Sequence, residues 1–498
     1  MLFHLMQALL QRQTQRQLIA IFAVILALTA CSKEDEPDVT APSIEITSPL
    51  PGANVAGSSA ITLQGIVSSD TVLVEITHRI NATNTIDVFD ADLNGTDFSA
   101  DLTLGNNANT ITATAKDAVG NSVAHTFTLF YPVLALTNGM AASFVIGQNT
   151  FTENLANRGG AVAANTLSGV QGSLIERQNT VLYVPDTGNH RILGFNPVPA
   201  ASDASATIII GQTSFTTASA GASATQLTSP SGVFVTDTQF FIADTGNNRV
   251  LVWTSIPANG STAANYVAGQ LDFTTATTAC SASTLSAPAA VFAVNDKLVV
   301  ADNGNHRVLI WNTIPVANGM AADVVVGQQN FDVCLPDDSD GDGATDTVSA
   351  TTLNNPGGIW TDGTRLLVAD TANHRVLLWN TLPTVSGQAA DVVLGQLDMT
   401  SAAAQLNQSG LNSPKSVTSN GNQVVVADSG NARVLLWNTF PAANNAVADI
   451  VIGQDDFVSS VTGTSATRMT SYDNVFVDRK NLFVVDGNRI LMFADPSQ

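Results

Sequence analysis

The sequence predicts an all-β chain in which a β-sandwich, residues 42–132, precedes a six-bladed β-propeller, residues 133–498. Three observations carry that expectation. The pattern LVVADNGNHRVLIWN at 298–312 recurs around Asp186, Asp244, Asp302, Asp370, Asp428 and Asp486, at spacings of 58, 58, 68, 58 and 58 residues. Self-similarity at a fixed period marks a repeat architecture. Each copy alternates as a strand does up to the Asp, breaks at Asp-Thr-Gly-Asn, and returns as Arg-Val-Leu-x-Trp-Asn, so each copy is a hairpin. A strand ending in Gly-Gln follows most hairpins (Gln148, Gln212, Gln270, Gln328, Gln396, Gln454), and Leu-x-x-Pro-x-x-Val opens most units. One unit therefore holds about four short strands, which is a propeller blade.

The order of these motifs predicts how the ring closes. The first Gly-Gln strand, 143–148, precedes every hairpin, and the last hairpin, 482–493, has none after it. The early strand is expected to complete the sixth blade, leaving no open sheet edge at the join. Within the turns, Gly is expected to take positive φ. Arg191, Arg249, Arg307, Arg375, Arg433 and Arg489 recur at one position and are expected to bond neighbouring strands and blades. Trp253, Trp311, Trp379 and Trp437 are expected to pack the blades.

The core ADTGNHRVLIWN resembles the NHL repeat, and with its Gly-Gln strand it is similar to NHL-repeat propellers of bacterial envelope proteins, over about residues 140–496. Asn248 and Ala432 stand where that repeat usually has His, and the sixth copy has lost two residues. The resemblance speaks to fold more than to function, because the family spans RNA-binding, protein-binding, lyase and hydrolase members.

The N-terminus has its own grammar. Arg12 and Arg16 precede an apolar run at 18–30, too short to span a bilayer and suited to a signal peptide over 1–30. Leu28-Thr29-Ala30-Cys31 resembles the bacterial lipobox, which implies a lipid anchor on Cys31. Ser32 resembles the second residue of lipoproteins sent to the outer membrane. Residues 31–41 form a tether, and its Lys33-Glu34-Asp35-Glu36 run either resembles a surface-export signal or is plain solvated spacer. The expected location is the bacterial cell envelope, as an outer-membrane lipoprotein. Of 498 residues, 45% are hydrophobic and 12% charged, as suits a globular β protein. The net charge of −22 repels nucleic acid and anionic head groups, which argues against nucleic acid as a partner.

Between tether and propeller, about seven short strands broken by Pro, Gly and Asn turns read as a sandwich. The stretch from Gly105 to Asn121 resembles bacterial immunoglobulin-like domains, whose role here is expected to be spacing.

Candidate sites are few. Asp338, Asp340, Asp342 and Asp346 stand at positions 1, 3, 5 and 9 of a calcium loop with Gly343 at position 6. Ser349 replaces the usual Glu, so either a structural calcium or a solvated acidic loop fits. Cys280 and Cys334 fall in consecutive units, and in an oxidising compartment they form a disulfide or remain two thiols. His190, His306 and His374 sit at one hairpin position in different blades, too far apart to share an ion. Symmetry breaks at Gln171, Lys415 and Asp473, the residues after the motif Pro, which form either a ligand site facing the channel or a surface ion pair. The expected function is non-catalytic binding of a protein or glycan by the face bearing the long Ser/Thr/Ala-rich loops, such as 216–229 and 274–287. The alternative is a lactonase-like hydrolase or lyase with a channel-bound metal, for which Asp473 and Asn474 are the neighbouring candidates.

Overall fold

The computed structural model describes residues 41–49, 60–68, 70–80, 87–104, 107–131, 134–172, 175–177, 180–477 and 481–495. Cys31, the leader and nearly all of the tether lie outside them. The chain divides into two compact units, one reaching Leu129 and one running from Phe130, with segments 81–83 and 105–108 grouped with the second. No α-helix occurs among the described residues, and no helix is long and apolar enough to cross a membrane.

The first unit holds two four-stranded sheets. One orders as β1 (Ile44–Ser48), β2 (Ala60–Val67), β6 (Asp97–Thr103) and β5 (Asp92–Asn94). The other orders as β4 (Asp87–Asp90), β3 (Thr71–Ile80), β7 (Asn107–Asp117) and β8 (Ser122–Tyr131). Eight strands are thus described where the sequence suggested about seven. Period-2 alternation buries Ile111, Ala113 and Ala115 on β7 against Val74 and Ile76 on β3. The Lys-Asp-x-x-Gly-Asn motif closes the β7–β8 turn, where Asp117 Oδ1 accepts the amides of Val119, Gly120 and Asn121 at 3.0, 2.7 and 2.9 Å.

The second unit is an all-β, propeller-like fold. Its repeats become six four-stranded antiparallel sheets, I to VI, within 175–210, 232–268, 288–326, 356–394, 414–452 and 474–494. Sheet III is representative, with Pro288–Val294, Lys297–Asp302, Arg307–Trp311 and Val324–Val326 paired in sequence order. Sheet VI takes its fourth strand from β9 (Phe144–Ile146), in which Val145 opposes Leu491. Packing runs from sheet to sheet and returns to the first. Trp311 and Leu298 of sheet III share a buried cluster with Phe241 and Val252 of sheet II. In the last such cluster, Phe483 and Ile490 of sheet VI meet Leu182 and Leu193 of sheet I. Each of the four repeated Trp rings, Trp253, Trp311, Trp379 and Trp437, fills such an interface while its indole N–H donates to a main-chain carbonyl, as Trp311 does to Met320 at 2.9 Å.

The outer edges of sheets II to VI are hydrogen-bonded by the segment that follows in the ring. In sheet II the Val267 amide donates to Asn318 Oδ1 and its carbonyl accepts from the Gly319 amide, both at 3.1 Å. Asn138 and Gly139, ahead of β9, do the same for Val451 of sheet V. Strand edges that would otherwise template association are thereby closed.

The repeated polar residues meet in one buried corner per sheet. In sheet III, Asp302 Oδ2 accepts Arg307 Nε and Asn305 Nδ2, both at 2.8 Å, and Oδ1 accepts the Ser286 amide at 2.6 Å. Arg307 Nη1 donates to Phe331 O at 2.7 Å, and Nη2 to Ser281 O and Thr284 O at 2.8 and 3.1 Å. One guanidinium thus fixes both the loop entering its sheet and the loop leaving it, besides its own hairpin. The Phe three residues after Gly-Gln contributes its carbonyl here. Gln328 Nε2 secures the same leaving loop at Leu335 O, 2.7 Å away. Asp and Arg are fully buried in all six copies. Burial pushes the Asp428 carboxyl up to about 6 and raises those of Asp186, Asp244, Asp302 and Asp370, against the pull of their arginines.

The turn glycine takes positive φ only in the shortened sixth copy, at Gly487 (φ 63°). In the other five copies positive φ falls nearer the end of the turn, two residues past the glycine position, at His190, Asn248, His306, His374 and Ala432, with φ between 51° and 55°. Gly304 is needed for close approach instead: its amide donates to Ser286 O at 2.9 Å, and a Cβ would lie 2.5 Å from Ser286 Oγ. Left-handed φ is required at the glycine of Gly-Gln, where Gly327 has φ +88° and a Cβ would lie 2.5 Å from Leu353 Cδ1.

Candidate functional site

Because strands alternate in direction within a sheet, the hairpin tips between second and third strands share one end with the long loops between sheets. At that end the entries to all six first strands meet around a cavity of about 380 Å³. Gln171, Ser231, Ala289, Gly357, Lys415 and Asp473 contribute one position from each unit. The structure therefore brings Gln171, Lys415 and Asp473 to one place.

Five of the six junctions around this mouth are made the same way. Thr187 Oγ1 donates to Pro230 O at 2.8 Å, Thr245 Oγ1 to Pro288 O at 2.7 Å, and Asn303 Nδ2 to Pro356 O at 3.0 Å. Thr371 Oγ1 donates to Pro414 O at 2.8 Å, and Ser429 Oγ to Tyr472 O. At the sixth junction the shortened hairpin offers Gly487, whose carbonyl accepts the Val170 amide at 2.7 Å. This belt escaped the reading of the sequence. Its signal was present: the residue after the repeat Asp is Thr, Asn or Ser in five copies and Gly in the sixth.

Apart from Asn355 of unit IV, the amide and charged side chains of the lining not consumed by the belt gather near that sixth junction. Lys415 Nζ lies 2.5 Å from Asp473 Oδ1, with the Lys side chain half exposed and the Asp nearly buried. Asp473 Oδ2 accepts Ser471 Oγ at 2.6 Å. Beside it, Asn474 is 4% exposed, lines the cavity, and its Oδ1 has no hydrogen-bond partner. Tyr472, in the place of the motif Pro, is buried with its hydroxyl against Gly453 O, and burial pushes its pKa up to about 12.

On the same face, Cys280 and Cys334 are bonded, 54 residues apart in sequence. The Asp-rich loop follows directly. Asp338, Asp340 and Asp346 bring carboxylate oxygens within 4.8 Å of one another, the one such convergence of three or more His, Cys, Asp or Glu among the described residues. Asp342 stands outside that group, its Oδ1 taken by the Ala344 amide at 2.8 Å. Asp338 is fully buried and accepts the Gly341 and Gly343 amides at 2.6 and 2.9 Å. Asp337, not singled out in the sequence, is buried in the corner of sheet IV, where its Oδ1 accepts Asn373 Nδ2 at 2.8 Å.

The histidines serve the loops separately. Nδ1 of His190, His306 and His374 accepts the amides of Ser229, Asn355 and Ser413 at 3.0, 3.1 and 2.9 Å. Each of those residues begins the next unit with positive φ. Asn248, the departure from the repeat, reproduces the bond through Oδ1 to the Ala287 amide at 2.9 Å.

Comparisons with solved structures give distant likenesses. A putative oxidoreductase (glucose dehydrogenase) from Thermus thermophilus is 13% identical, covering 67% of this chain and 99% of its own, with a TM-score of 0.36. AztD from Citrobacter koseri is 8% identical, covering 77% and 98%, with a TM-score of 0.22. An engineered protein is 27% identical over 18% of this chain, which spans 20% of that protein's length, with a TM-score of 0.16. At these TM-scores none of the three bears on activity. No protein-family model matches the chain, and no curated protein does.

Proposed function

We propose that this chain is an envelope lipoprotein, anchored through Cys31, whose second unit is a six-bladed NHL-type propeller that binds a protein or glycan without catalysing a reaction. The observation that carries the binding reading is the construction of the loop face. Buried arginines hold the backbone of every long inter-sheet loop, so small hydroxyl and amide side chains are presented on a fixed surface around a polar mouth. A preformed surface lowers the ordering cost of association. Six sheets whose packing returns to the first, with β9 completing the last, support the propeller. Strand orders β1-β2-β6-β5 and β4-β3-β7-β8 match the ABED and C′CFG sheets of an immunoglobulin-like spacer. A structural calcium on Asp338, Asp340 and Asp346 fits the hard oxygen donors there and would brace the loop beside the disulfide.

The test is binding of the purified full chain to isolated bacterial envelopes, with protease-treated and periodate-treated envelopes in parallel. Saturable binding, lost on Lys415→Met, supports the reading, and sensitivity to one treatment assigns the partner as protein or glycan. Binding that never saturates, or that survives substitution across the mouth, overturns it.

A further inference from the structure

We infer that the cavity where the six first strands meet takes a neutral polyhydroxylated ligand, the terminal sugar of a glycan, held by Asn474, Asp473, Lys415 and Gln171. This rests on the binding reading above and narrows it.

Among the described residues Lys415 is the one cation lining the cavity, and Asp473 neutralises it at 2.5 Å. The mouth therefore offers no net charge to an ionic ligand, and a chain of net charge −22 repels anions at longer range. Asn474 Oδ1 is a buried acceptor with nothing donating to it, which is costly unless a ligand group fills the role. Its neighbours offer the opposite capacity: Lys415 has ammonium protons beyond the one directed at Asp473, and the Gln171 amide both donates and accepts. A hydroxyl donates and accepts at once, so adjacent hydroxyls satisfy this mixed set where a carboxylate or an ammonium cannot.

The cavity is also two-sided. Units V, VI and I present Lys415, Asp473, Asn474 and Gln171, whereas units III and IV carry Ala289 and Gly357 at the same position; of the polar residues beside these, Asn303 and Thr371 are spent on belt carbonyls, which leaves Asn355. A sugar ring has a hydroxyl edge and a C–H face, which matches that division. About 380 Å³ lies within the range of small-ligand sites, which is roughly 300–1,000 Å³. Asn474 is not explained by structure alone. The other units close their junctions with a hydroxyl or amide donating to a carbonyl, and Asn474 takes no part in the belt.

The experiment titrates the methyl glycosides of glucose, galactose, mannose and N-acetylglucosamine into the full chain, by calorimetry and saturation-transfer NMR. At least one is expected to saturate. Asn474→Val is expected to weaken it by about ten-fold or more while leaving Tm unchanged or higher, because the deleted acceptor had no partner to lose. Lys415→Met, at a half-exposed side chain, is expected to weaken it without unfolding. If no glycoside saturates, or if both variants bind as tightly as the parent, the inference falls. Should that happen while Lys415→Met still abolishes envelope binding, the scaffold reading stands and only the sugar assignment is lost. If envelope binding is absent too, both are overturned.

Discussion

The guanidinium of Arg489 donates through Nη1 to the carbonyl of Phe151, 338 residues earlier in the chain. The same arginine pairs with Asp486 at 2.6 Å, so the last hairpin and the loop after β9 share one buried corner. Gln148 adds a second tie, its Nε2 donating to Asn488 O at 2.9 Å.

Arg489→Ala leaves Asp486 buried without a counter-charge, and a loss of about 3–5 kcal/mol is expected in urea denaturation. Phe151→Leu keeps the carbonyl that Arg489 uses, so its cost should stay below about 1.5 kcal/mol, as for a volume-conserving swap.

Acidification should loosen the loop that His374 holds. Burial lowers the pKa of His374 from its ordinary value of 6.5. The folded chain then binds its proton later than the unfolded chain does. Stability tied to His374 is full above about pH 6.5 and declines as pH falls from there toward the lower folded pKa. His374→Asn, which copies Asn248, should retain the loop bond and remove that pH dependence. His374→Ala should cost about 0.5–1.5 kcal/mol at neutral pH. Comparing parent and variant across pH 5–8 isolates the effect, because the raised carboxyls such as Asp428 act with opposite sign and cancel in the difference.

Cys280→Ser with Cys334→Ser frees a closed loop of 54 residues. Chain entropy sets the loss at up to about 4 kcal/mol. The parent melted with reductant should match the double variant, and without reductant it should melt higher. Equal melting points in all three would show that the bridge adds nothing.

Calcium should raise Tm. A ligand at a hundred times its dissociation constant adds about 2.7 kcal/mol. Asp340→Asn and Asp346→Asn should each remove most of the increment, whereas Asp342→Asn should leave it, since only the first two carboxylates converge with Asp338.

Much of this was legible one repeat at a time. Strand periodicity, the hairpin at Asp302–Arg307 and the odd strand at 143–148 are written in local residue order, and six copies make that order unmistakable. What each recurring residue does was less legible. The glycine at 304 looked like a φ requirement and is a contact requirement, because the opposing Ser286 comes from a distant loop. The long Ser/Thr/Ala loops looked like recognition surface alone. Their backbone carbonyls are also the acceptors that allow an arginine to be buried.

Period, strand pattern, turn chemistry and the position of the closing strand were fixed by the amino-acid order, since each depends on neighbours a few residues away. Which groups share the mouth was decided by tertiary structure. Lys415 and Asp473 are 58 residues apart, and Gln171 is further still; only the circular packing of the sheets brings them together. That packing also leaves Asn474 Oδ1 without a partner, a property of three-dimensional surroundings that local sequence does not encode.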